Sequence, residues 1–252
     1  MSLLKKIHPE QPLKELRWFD IAIVTLIMFG QFIVRSTQMY LASLSPNLST
    51  AVSETATNTA SEGAAYSSNF TLQIILLALA IIYLWIRHFD FKQLPIRLKW
   101  SVLFWVPFIF AIMGLFADMV STLSGQYNYF SPQVLAFISP MAVIDKFMAL
   151  SPMAIAYGLL NGFYEEFFFL GLLTSVKDKY KWLVLLFSTI VRVSFHTSQG
   201  MLWALVICVA FGLLYYFLYK YKVKNLLPFF LVHALADMFG SSLIYLLVNW
   251  NY

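Results

Sequence analysis

The stretch PMAIAYGLLNGFYEEFFFLGLLTSV, residues 152–176, decides how this chain is read. It is an apolar run of the length that crosses the hydrocarbon core of a bilayer as a helix, about 20 residues. Near its middle it carries two adjacent carboxylates, Glu165 and Glu166. Working outward, comparable apolar runs recur at residues 18–44, 70–86 and 100–123 before it, and at 182–197, 201–219 and 225–250 after it. The expected fold class is therefore all-α: a polytopic transmembrane helical bundle of about seven spans.

Composition agrees. Only 12% of the 252 residues are charged and 60% are hydrophobic, whereas soluble domains carry about 25% charged residues. The net charge of +5 does not point to nucleic acid, because the basic residues sit in short connections between apolar runs. All of them except Arg35, Lys146 and Arg192 fall on alternate connections: Lys5 to Arg17, Arg87 to Lys99, Lys177 to Lys181 and Lys220 to Lys224. Cytoplasmic loops are rich in Lys and Arg, so the N-terminal segment 1–17 is expected in the cytoplasm. The rest, 18–252, reads as one transmembrane bundle. No small-residue cleavage site follows the first apolar run, which is expected to stay as an uncleaved span. The single cysteine, Cys208, lies in an apolar run and excludes a disulfide framework.

Two outer connections are long. Residues 45–69 are rich in Ser, Thr, Ala and Asn without a basic residue, and read as an external loop. Residues 124–151 contain an apolar stretch, 134–150, interrupted by Pro140, Asp145 and Lys146. It reads as an interfacial or re-entrant helix, with an eighth span as the alternative.

Ionisable groups inside a bilayer cost about 2.5–3.5 kcal/mol each even on the gentler scales, and mark functional sites. Beside Glu165 and Glu166, this chain places Arg192 and His196 in its fifth apolar run and His233 and Asp237 in its seventh. Asp118 and Arg35 lie near outer ends, where they can snorkel to the interface. Residues four apart share a helix face, so Arg192 projects with His196, and His233 with Asp237. At about 1.5 Å per residue, Glu165 lies about 18 Å from Lys177 and His233 about 13 Å from Lys224. His196 lies about 22 Å from Lys181 on the same rise. These depths let Glu165, His196 and His233 meet near the bilayer middle.

A carboxylate in a low-dielectric site holds protons more readily and can serve as a general base near neutral pH. A neighbouring histidine can orient water or pass on its proton. A second histidine, held by a carboxylate, can donate to a developing oxyanion. Together these are the parts of peptide hydrolysis. The same residues could instead be interhelical hydrogen-bond partners, or ligands for a metal. The chain has no HExxH motif, and its candidate histidines lie on different runs, so a bound metal is not the favoured reading. No nucleotide, haem or flavin motif is present, and no cofactor is expected.

The motifs resemble the CAAX prenyl protease and bacteriocin-processing family, also called the Abi family of intramembrane glutamate proteases. Its pattern is EExxxR, then FxxxH, then HxxxN or HxxxD. Glu165-Glu166, His196, and His233 with Asp237 fall in that order, with Asn225-Leu226-Leu227-Pro228 ahead of the last. The resemblance covers about 152–250. It implies that Glu165 activates water with His196, that Glu166 supports them, and that His233 and Asp237 stabilise the oxyanion. Two positions depart from the pattern: Leu170 stands where the EExxxR arginine belongs, and Arg192 where the FxxxH phenylalanine belongs. Arg192 is expected to supply the missing cation from the next helix and to pair with Glu166.

The implied activity is an intramembrane endopeptidase of a bacterial plasma membrane. Its substrate would be a peptide or membrane protein, with bacteriocin or pheromone maturation or immunity as roles. The alternatives are a non-catalytic scaffold that binds a partner membrane protein, and a proton-coupled carrier using the same groups as a relay.

Overall fold

In a computed structural model, which describes residues 9, 11–44 and 62–249, the regular elements of the described residues are all helices. α1 spans Trp18–Ser43, α2 Glu62–Ile86 and α3 Ser101–Leu123. Two short helices follow, α4 at Pro132–Leu135 and α5 at Met141–Ala149. α6 begins at Pro152, is α-helical to Glu166, and continues as wide i→i+5 turns over Phe167–Leu172. α7 is Lys181–His196, and α8 runs from Met201 to Val223 with wide turns at Val206–Phe211 and Tyr219–Val223. α9 is Leu227–Phe239 and α10 is Leu243–Leu247.

Four helices, α1, α2, α3 and α8, are long and apolar enough to cross a membrane. α5 and α6 together have that length and apolarity but are bent by 101° at Leu150–Ser151, as in a broken span or a re-entrant loop. The chain is a multi-pass membrane protein. Several boundaries differ from those expected. α2 starts at Glu62, inside the stretch read as an external loop; residues 45–61 of that loop lie outside the described residues. α7 has 16 residues, about 24 Å of helix, which is shorter than the ~30 Å core. The last apolar run is not one helix. Gly240, at φ 78°, ends α9 in a conformation that other residues rarely adopt.

The chain divides into two compact units. The first comprises residues up to Ile96 and Tyr164–Leu226. In it α1 packs against α2 and α7. The aromatic run at the end of α6 surrounds Phe29 of α1, with ring centroids 4.8 Å away for Phe168 and 5.1 Å for Phe169. Tyr164 donates its hydroxyl to the Met28 carbonyl at 2.5 Å. Asp20 of α1 is fully buried and accepts from Arg87 Nε at 2.6 Å and from the Tyr83 hydroxyl at 2.7 Å. Arg87, read from the sequence as a solvated loop charge, is therefore half of a buried ion pair tying α1 to the end of α2. In a low-dielectric interior such a pair is retained because either charge alone would be costly to bury.

The second unit comprises Arg97–Phe163 and the chain from Leu227 onward. Here α3 packs against α9 and α10. Asp118, expected to snorkel, is instead fully buried. It accepts from the Ser242 hydroxyl and from the Ile244 amide, the latter at 2.9 Å, and so holds the first turn of α10. Lys146 of α5 donates to the Val248 carbonyl at 2.5 Å. α6 and α9 approach closely at Gly162, where an added Cβ would lie 2.8 Å from the Ala234 nitrogen. Gly158 and Gly162 form a GxxxG pair, the small-residue spacing that lets membrane helices touch backbone to backbone.

Candidate active site

The site residues fall into two constellations, one in each unit. In the first, Glu165, Glu166, Arg192 and His196 are all buried. α6 delivers the glutamates just where its turns begin to widen, a local change often found at functional positions. Arg192, four residues before His196 on α7, forks onto Glu166: Nη1 donates to Oε1 at 3.0 Å and Nη2 to Oε2 at 2.7 Å. Two parallel charge-assisted bonds fix the carboxylate plane as well as its charge. The guanidinium also lies 3.9 Å from the centroid of the Phe169 ring, a cation–π contact in apolar surroundings. The pairing expected from the two motif departures is thus present.

Why an arginine can stand at position 192 is visible in the packing. Leu170 and Arg192 line one small cavity, together with Ser188, Cys208 and Gly212. Gly212 faces the arginine stem: an added Cβ there would lie 3.5 Å from Arg192 Cδ, in ordinary van der Waals contact. The space next to Leu170 is therefore the space that the guanidinium stem enters from α7.

His196 is fixed by its own helix. Its Nδ1 lies 2.9 Å from the Arg192 carbonyl oxygen. A carbonyl only accepts, so Nδ1 carries the proton, and in the neutral ring Nε2 is the basic nitrogen. The turn after His196 is anchored to α1: Ser36 Oγ meets Thr197 Oγ1 at 3.1 Å and accepts from the Ser198 amide at 2.9 Å. His196 is thus held both by its own helix and by a neighbour.

In the second unit, Asp237 is 3.8 Å from His233 Nε2, within electrostatic reach but longer than a hydrogen bond. Its other oxygen accepts from Asn161 Nδ2 at 2.9 Å. Asn161 was not singled out from the sequence. The available signals were its place one turn before Glu165 and its position inside the Gly158–Gly162 pair. The close approach at Gly162 brings Asn161 of α6 to Asp237 of α9. Among the described residues, no three His, Cys, Asp or Glu side chains gather as a metal-binding group.

Residues 147–239 match the family described as Rce1-like, type II CAAX prenyl endopeptidase. The match begins in α5, spans both constellations and ends at the last residue of α9. It agrees with the family resemblance carried by the motifs, and its C-terminal limit at 239 is shorter than the 250 read from them. The matched family is one of proteases. No curated protein and no solved structure matches the chain.

Proposed function

We propose that the chain is an intramembrane endopeptidase that uses a glutamate-activated water. The observation that carries this reading is the buried fork of Arg192 onto Glu166 beside Glu165 and His196. A structural bundle gains little from burying two adjacent carboxylates in an apolar segment, because burial of charge costs several kcal/mol per ion. Here one carboxylate is neutralised by a dedicated arginine, and that arginine's own carbonyl orients a histidine.

The proposed division of labour follows from these roles. Glu166 with Arg192 positions the end of α6. Glu165 takes a proton from water, and the hydroxide so formed adds to the scissile carbonyl carbon. His196, with Nε2 as its basic nitrogen, orients that water. The resemblance assigns His233, oriented by Asp237, to donation toward the oxyanion. Collapse of the tetrahedral adduct breaks the C–N bond, and the proton held by Glu165 passes to the leaving amine. Water is the only co-reactant, and no cofactor enters.

The proposed substrates are peptides or the tails of membrane proteins, met at the leaflet facing the basic loops. With the N-terminus cytoplasmic, that leaflet is the cytoplasmic one of a bacterial plasma membrane. Bacteriocin or pheromone maturation, or immunity, are the proposed settings. The test is cleavage of a peptide library by the full chain in proteoliposomes. Glu165→Gln should fold normally and lose at least ~100-fold in rate, the usual lower worth of a general base. A Glu165→Gln protein that cleaves at the unsubstituted rate overturns the mechanism. If Glu165→Gln instead preserves the cellular phenotype while no peptide is ever cleaved, the scaffold function replaces it.

A further inference from the structure

The first unit contains a second polar feature, away from Glu165 and His196. Four of its segments end together around a cavity of about 450 Å³. The chain before α1 contributes Lys14 and Glu15, the turn after α2 contributes Gln93, and the end of α8 contributes Tyr219, Lys220 and Lys224. The end of α6 closes the fourth side. Three lysines thus face one carboxylate across an open polar hollow.

Two details separate this from ordinary basic loops. Lys224 sits at φ 48° and ψ 36°, the left-handed conformation that closes helix α8. Glycine takes that position at no steric cost, and a lysine there is uncommon. The second detail is Gln93. Its Nε2 is buried and meets no acceptor among the described residues, and a buried donor left unsatisfied is costly. Attraction of lysines to helix C-termini explains Lys220 and Lys224. It explains neither Lys14, which precedes a helix, nor an amide donor without an acceptor. An oxygen-rich anion in the cavity accounts for all four.

We propose that this cavity binds a phosphate group. Lysine ammoniums and an amide N–H are donors suited to phosphate oxygens, and the single carboxylate leaves the lining net positive. The cavity lies where the apolar helices α2 and α8 give way to polar chain. That is the level of lipid headgroups, so an anionic phospholipid and a soluble phosphate compound are the two sources of the same chemistry.

The experiment uses the full chain in detergent and follows its Tm. Phosphatidylglycerol, phosphatidylcholine and inorganic phosphate are added separately. Phosphatidylglycerol should raise Tm by a few degrees and phosphatidylcholine should not, as expected when a ligand binds only the folded state. A rise with inorganic phosphate alone assigns the site to a soluble ligand and sustains the phosphate chemistry. The triple variant K14A/K220A/K224A, and Gln93→Glu separately, should abolish the shift. The control triple K177A/K179A/K222A removes equal charge outside the cavity and should keep it. No shift with any additive, or equal loss in both triples, overturns the proposal. All six lysines are exposed, so the variants should fold.

Discussion

At the scale of single residues, the informative change is an exchange between two positions. The family pattern places an arginine one turn after the paired glutamates; here Leu170 occupies that place and Arg192 reaches Glu166 from α7. Removing one partner of a buried ion pair typically costs about 3–5 kcal/mol. Arg192→Leu should therefore lower Tm sharply and abolish peptide cleavage. Adding Glu166→Gln should recover most of the stability but not the cleavage, because the neutral amide no longer needs the cation while the end of α6 loses its clamp. Leu170→Arg on the Arg192→Leu background should restore part of both, since the two side chains line one cavity. Thermal unfolding and cleavage in proteoliposomes, measured on the same preparations, check all three. Full activity in Arg192→Leu would remove the positioning role.

At the scale of elements, the α6–α9 contact holds the second constellation. Gly162→Leu should destabilise the protein by about 1–3 kcal/mol, the usual cost of overpacking, read as a fall in Tm. Asn161→Ala leaves the backbone contact intact and removes only the donor to Asp237. It should slow cleavage with little change in Tm. A matching loss of stability would make Asn161 structural instead. This element-level organisation was partly legible beforehand. Helices α1, α3 and the start of α6 were readable because 20-residue apolar runs have one low-cost conformation in lipid. The break at Gly240 and the wide turns of α6 and α8 were not. Hydropathy reports burial, and it does not report where the backbone changes its hydrogen-bond period or turns left-handed.

At the scale of the whole molecule, the distribution of Lys and Arg implies an orientation. Single cysteines placed in residues 177–181 and 220–224 of a Cys208→Ala chain should be labelled by a membrane-impermeant maleimide only from the cytoplasmic side. Cysteines at Ser124 or Gly200 should be labelled only from the other. Labelling of residues 177–181 and 220–224 from opposite sides would overturn the arrangement of spans. Two charged residues were misjudged at this scale. Arg87 was counted with the loop charges and Asp118 with the interfacial ones, yet both are buried. Each has found a partner distant in sequence, Asp20 for Arg87 and the first turn of α10 for Asp118, and sequence spacing cannot reveal such partners.

The sequence alone determined that residues 152–176 read as a membrane helix bearing carboxylates, and that six ionisable groups fall in three apolar runs, four of them in pairs four residues apart. Helical periodicity and the cost of charge in lipid suffice for that, because both act locally along the chain. The motif departures even named the pair to look for, Glu166 with Arg192. Only the tertiary structure decided that the pair is a two-pronged fork, that the turn after His196 is anchored to Ser36 of α1, and that Asn161 holds Asp237. These depend on which helix faces pack together, and therefore on side-chain volume and close glycine contacts between residues far apart in the chain.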